Sequence, residues 1–340
     1  MDTGQVDRTS ATVGQLLDRW IQQIEPVRKP STILGYKRKI EHDIRPLLGD
    51  VPLAKLGADS LDACYAQWLA RPLATATVRQ NHAILAAALH QALKWGWIDR
   101  NPADQASPPP VRSAPMKVPT PDQLSALVEA AEKDDPVLAT AIALAALTGA
   151  RRGELVALRW SDIDMTLGTV NIQRAITVVD GITHEGSTKT HQTRDVALDD
   201  VALGVLRQRW AYMTVLAQKA ESALVDDPYV LSYNANGARP TNPDTITHRF
   251  ATLCSSIEKA EANRRKIDVE DLPVSERWPF RFHDLRHFSV TTLIAAGIDV
   301  RTVAQRHGHA QTTMTLNRYA HALPERDRAA AGILGKALSR

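Results

Sequence analysis

The chain has 340 residues, 44% of them hydrophobic and 23% charged, with a formal net charge of +3. That length allows two domains, each with its own core, and the composition is that of an ordinary globular protein. No apolar run is long enough to span a bilayer and the first 20 residues lack a signal-peptide core, so no membrane partner is expected. Cys64 and Cys254 lie 190 positions apart, show no metal-ligand spacing, and suit a reducing, cytoplasmic location. Residues 1–110 carry 13 Lys+Arg against 11 Asp+Glu, so bulk charge neither demands nor excludes a nucleic-acid partner.

The first hundred residues read as a small helical bundle. Val13, Leu16, Leu17, Trp20, Ile21 and Ile24 recur at helical spacing behind Thr12, an expected N-cap. Ser31 is expected to cap a second helix carrying Ile33, Leu34, Tyr36 and Ile40. A short helix is expected over 59–70, and a longer one over 75–95 stops at Gly96. Seven prolines within 101–121 predict an extended, semi-rigid linker. The expected domains are therefore 1–100, a linker over 101–121, and 122–340.

The second domain is mixed. Thr120-Pro121-Asp122 opens a helix, and an apolar helix over 136–148 runs into Gly149. Residues 160–164 and 169–174 read as strands joined at Gly168. An irregular hairpin turning at Asp180-Gly181 comes next, and Asp195–Leu198 is the last strand. From 199 onward the pattern is helical, interrupted at Tyr229–Leu231 and by a loop over 234–243. The fold class is mainly α with one small antiparallel β-sheet.

Chemistry concentrates in this second part. His283 and Arg286 share a helix face at i and i+3, and Gly308-His309 and Arg318-Tyr319 follow within 37 positions. Upstream, Thr148-Gly-Ala-Arg151-Arg-Gly-Glu154 places arginine and carboxylate at the end of an apolar helix, a reasonable anion site. Glu154 is placed to pair with either arginine. Lys189 lies in a polar tract between strands. Arginine forks, histidines and a phenol form a kit for attacking a phosphodiester. His287 shares a face with His283 at i+4, which invites a metal reading, but the intervening glutamate and further ligand of a zinc motif are missing. No metal or cofactor is expected.

Separately these signals are weak; in order and spacing they resemble the tyrosine recombinase, or phage integrase, family. There, an arginine after a Thr-Gly-x motif and a nearby acid come first. A hairpin lysine, His-x-x-Arg, Gly-His and a tyrosine about ten residues on complete the pattern. The likeness covers nearly the whole chain from about residue 11 and looks closest to actinobacterial phage integrases.

The resemblance implies an N-terminal helical core-binding domain and a C-terminal catalytic domain. Arg151, Lys189, His283, Arg286 and His309 would serve Tyr319, the nucleophile that forms a 3′-phosphotyrosine, with Glu154 orienting the arginines. It implies double-stranded DNA attachment sites as partners, a homotetramer on synapsed DNA formed by a protein monomeric in solution, and a possible directionality factor. Expected DNA contacts are Lys29, Tyr36, Lys37, Arg38, Arg79, Asn81 and His82. The apolar tail over 329–338 would dock on a neighbouring protomer. Only about ten residues precede the first helix, too few for the arm-binding domain of many integrases, so a recombinase acting on short sites is expected. A type IB topoisomerase and a chromosome-dimer resolvase are the alternatives.

Overall fold

Thr12 and Gln15 open the first helix reciprocally: the Thr12 hydroxyl accepts from the Gln15 N–H at 3.3 Å, and the Gln15 amide oxygen accepts from the Thr12 N–H at 3.0 Å. That helix, α1 (Val13–Ile24), buries Val13, Leu16, Leu17, Trp20 and Ile21 along one face. The computed structural model describes residues 10–71, 73–111, 116–188 and 193–308. It divides into two units, Met1–Pro115 and Met116–Arg340, each with its own apolar core.

In the first unit α2 (Pro30–Lys39) starts at Pro30 with Lys29 as its N-cap, not at Ser31. The fixed φ of proline fits a first helical turn, where no N–H is needed. A π turn over Ile40–Ile44 carries the chain into α3 (Arg45–Leu48). Next come α4 (Ala58–Ala70) and α5 (Thr75–Lys94). The last ends where Gly96 takes a left-handed φ of 72° and Trp97 donates back to the Ala92 carbonyl at 2.9 Å. The start of the proline-rich stretch is not extended. Asn101 caps a 3-10 turn over Pro102–Asp104, Ala103 is buried in this unit's core, and the Ser107 N–H reaches the Asp62 carboxylate at 2.7 Å.

In the second unit α6 (Pro121–Asp134) opens with a capping box between Thr120 and Gln123. Its neighbour α7 (Pro136–Thr148) is buried nearly all round and is the central helix of the unit. A single turn, α8 (Arg152–Leu155), leads to the strands β1 (Ile163–Asp164), β2 (Thr169–Ile172), β3 (Arg174–Val179), β4 (Ile182–Ser187) and β5 (Arg194–Ala197). These form two antiparallel sheets, β1-β2-β5 and β3-β4, where one was expected. The chain changes sheet at Gln173. The Gln173 amide and the Arg174 guanidinium both donate to Asp162, at 2.8 and 2.6 Å, and draw this corner away from the β2 ladder. Asp162 also accepts the Arg159 N–H at 2.9 Å, and so Trp160–Asp162 coils as a 3-10 turn instead of extending as strand.

The helices α9 (Asp200–Lys219), α10 (Pro243–Arg265), α11 (Asp284–Ala295) and α12 (Val300–His307) complete the described fold. Between α9 and α10, buried Arg209 donates to the Val230 carbonyl at 2.8 Å and the Ser232 carbonyl at 2.6 Å, fixing the apolar segment Tyr229–Leu231. No helix among the described residues is long and apolar enough to cross a membrane.

Candidate active site

Gly149 ends α7 in a left-handed conformation, φ 64°, and a Cβ there would run into the His307 ring. Its carbonyl accepts from Arg286 Nη1 at 2.5 Å. Two residues on, Arg151 opens α8, and Glu154 turns back to it: one carboxylate oxygen takes the Arg151 N–H at 3.0 Å and the other takes Arg151 Nη1 at 2.8 Å. Of the two neighbouring arginines it is thus Arg151 that Glu154 holds. Arg152 points elsewhere, to Asp244 at 2.9 Å.

The far side of the site is the C-terminus of α12, where Gly308 adopts φ 62°. Three consecutive carbonyls there are each gripped by a different arginine. Arg194 Nε donates to the Arg306 carbonyl at 3.0 Å, Arg286 Nη2 to that of His307 at 2.6 Å, and Arg151 Nη2 to that of Gly308 at 3.0 Å. Helix C-termini leave such carbonyls unpaired and slightly negative, which explains why cations collect there. His307 is buried beneath this turn, its Nδ1 donating to the Val303 carbonyl at 2.8 Å and its Nε2 in turn 3.1 Å from the Ser289 hydroxyl.

The charges are unevenly exposed. Arg286 is 3% exposed and Glu154 1%, whereas His283 is exposed at the start of α11, its ring edge-on to His287 at 4.9 Å. Burial alone would push the Glu154 carboxyl up. The Arg194 hydrogen bond and charge, followed by the Arg151 N–H and charge, outweigh burial and hold it below the ordinary value. The site therefore presents fixed guanidinium groups beside one ionised carboxylate, suited to binding an oxyanion. Among the described residues no group of three or more His, Cys, Asp or Glu is placed to hold a metal ion.

The "Phage integrase family" model matches residues 117–326, and the "Phage integrase, N-terminal SAM-like domain" model matches residues 12–68. The chain belongs to the phage integrase family of tyrosine recombinases. This decides between recombinase and type IB topoisomerase in favour of the recombinase. A relative is the ICEBs1 integrase of Bacillus subtilis, 26% identical over 72% of this chain. The match takes in 60% of that relative's length, and its source shows that the likeness extends beyond the actinobacterial branch. The fold is that of the Tn1549 transposon integrase solved with transposon right end DNA, with TM-score 0.78 and 23% identity over 95% of this chain and 99% of that one. It is also that of a lambda integrase tetramer bound to a Holliday junction, with TM-score 0.66 and 22% identity over 91% of this chain and 78% of that one.

Within this integrase-family chain the structure brings together Arg151, Glu154 and Arg286, with His283 at the head of the helix that carries Arg286. Lys189, His309, Tyr319 and the tail lie outside the described residues. The sequence reading missed Arg194, whose side chain is 6% exposed and whose Nη2 lies 2.5 Å from Glu154. One signal was available: β5 alternates buried and exposed, and Arg194 falls on its inward face beside Val196.

The expected DNA contacts divide. Lys29, Lys37, Arg38 and Arg79 are exposed, with Lys37 paired to Glu25 at 2.7 Å, and half-buried Tyr36 stacks on Trp20. Asn81 is a correction. It is fully buried, and its amide donates to the Asp43 carboxylate at 2.9 Å, so it binds helix to helix and is out of reach of a surface ligand. His82 is half-buried, its Nδ1 2.7 Å from the Tyr65 hydroxyl.

Proposed function

We propose that the protein is a site-specific DNA recombinase, cleaving and rejoining strands through a 3′-phosphotyrosine to integrate and excise phage or other mobile-element DNA. The observation that carries this is the convergence of Arg151 and Arg286 on adjacent carbonyls of the α12 C-terminus, immediately before His309. Two forks held by backbone acceptors can present their remaining N–H groups to the non-bridging oxygens of one phosphate. In this reading they stabilise the charge that builds up in the transition state; His283, which is exposed, and His309 move protons or bond the same oxygens. Lys189 protonates the departing 5′-oxygen. Tyr319 attacks; its phenol, with an ordinary pKa of about 10, is assisted toward phenolate by the surrounding cations. The covalent ester conserves the phosphodiester energy, so rejoining needs no nucleotide cofactor.

Residues 1–100 supply a helical DNA-gripping domain and 122–340 the catalytic domain, joined by the proline-rich stretch. Double-stranded attachment sites are the substrate, and four copies assemble on synapsed DNA. The tetramer draws support from the fold shared with the lambda integrase tetramer. A separate directionality factor selects between integration and excision, and the protein acts in the cytoplasm. Incubation with a nicked suicide substrate tests the chemistry: a covalent protein–DNA adduct should form with the wild type and disappear with Tyr319→Phe. No adduct, or an equal amount from the variant, refutes the proposal.

A further inference from the structure

The two arginines assigned to the phosphate are not held independently, and the link between them is a third. Arg194 leaves β5 and runs inward between α8 and the end of α12, with a side chain 6% exposed. Its Nη2 lies 2.5 Å from the Glu154 oxygen that also takes the Arg151 N–H, and its Nε donates to the Arg306 carbonyl at 3.0 Å. Its Nη1 has no hydrogen-bond partner among the described residues and faces Gly308, where an added Cβ would lie 2.9 Å away.

We propose that Arg194 is a positioning residue of the recombination reaction, fastening the Glu154–Arg151 pair to the C-terminus of α12 so that both phosphate-directed arginines and the chain entering His309 move as one block. This rests on the function proposed above. Arg194 directs its Nη2 to Glu154 and its Nε to the Arg306 carbonyl, so it acts through Glu154 and the α12 backbone. The side chain must be arginine because the acceptors lie on different elements. A planar fork bonds Glu154 and the Arg306 carbonyl together, whereas a lysine offers one nitrogen on a flexible stem. Glu154 gains as well: with Arg194 on one oxygen and Arg151 on both, its two oxygens are fixed in direction, and so is the Arg151 guanidinium. Displacement of a catalytic group by about 1 Å can cost about 100-fold in rate, so a device that fixes direction matters even without contact with substrate.

The test uses the full chain with Arg194→Lys, Arg194→Gln, Glu154→Gln and the Arg194→Lys/Glu154→Gln double variant. DNA affinity is measured by anisotropy and the single-turnover rate of adduct formation on a nicked suicide substrate, below the unfolding midpoint of the least stable variant. Arg194→Lys is expected to bind DNA within about twofold of wild type while forming adduct about 10- to 100-fold more slowly, because orientation and not binding is lost. Arg194→Gln should be at least as slow. The double variant should be within about threefold of the slower single one, since both substitutions cut the same link.

Adduct formation by Arg194→Lys at the wild-type rate, a loss accounted for by weaker DNA binding, or losses that multiply in the double variant would each overturn the inference. Glu154→Gln keeps the side-chain shape and carries the test should substitution at Arg194 prevent folding: it too must slow adduct formation without weakening DNA binding. A wild type that forms no adduct refutes the recombinase function instead.

Discussion

Protonating Glu154 would leave Arg151 and Arg194 facing a neutral acid in a covered site, and this gives the carboxylate a measurable effect on stability. Its folded pKa is depressed below 4.5, the value of an unperturbed glutamate. A group depressed on folding contributes fully above its unfolded pKa, and the contribution is lost as pH falls through the folded one. Urea unfolding below about pH 4.5 should therefore show a loss of stability that is smaller in Glu154→Gln than in the wild type. Equal pH dependence in the two proteins would contradict the ion-pair geometry. At Gly149 the constraint is steric. An alanine would be strained at φ 64° and would displace the His307 ring, so Gly149→Ala should lower urea stability by about 1–3 kcal/mol.

Single elements separate positions that look alike in sequence. On α5, Arg79 is exposed and Asn81, two residues on, is fully buried against Asp43. Arg79→Ala should weaken DNA binding across sequences and reduce the slope of log affinity against log salt by about one unit, with little change in stability. Asn81→Ala should do the reverse: it leaves the Asp43 carboxylate without its amide donor, costing about 1–3 kcal/mol in urea unfolding while the salt slope is preserved. Two of the helix starts were legible from local chemistry: Thr12 and Thr120 each stand three residues before a glutamine, and each forms a capping box. The cap of the second helix was misread by two residues: Ser31 is a good N-cap, but the fixed φ of Pro30 suits the first helical position, so the helix starts there and the cap falls on Lys29.

At the scale of the molecule, each unit holds one buried cysteine, Cys64 in the first and Cys254 in the second, with burial pushing both thiols up to about 12. Neither should react with a thiol reagent at neutral pH while its unit is folded. Labelling tracked through a urea titration, with the modified peptide identified by mass, should report the unfolding of each unit separately. Rapid labelling of either cysteine without denaturant would contradict the burial.

The sequence by itself determined the features that local periodicity and ordered motifs dictate: a helical first part, a buried helix ending at Gly149, and a family signature running from Arg151 to Arg286 and beyond. Such features depend on neighbours a few positions apart, or on spacing that can be counted. Tertiary structure alone decided that Arg151, Arg194 and Arg286 grip three successive carbonyls of one helix end, that Asn81 points inward, and that the strands split into two sheets at Gln173. These depend on which distant backbone group or carboxylate comes within about 3 Å of a side chain, a distance set by packing between elements and not by the local run of residues.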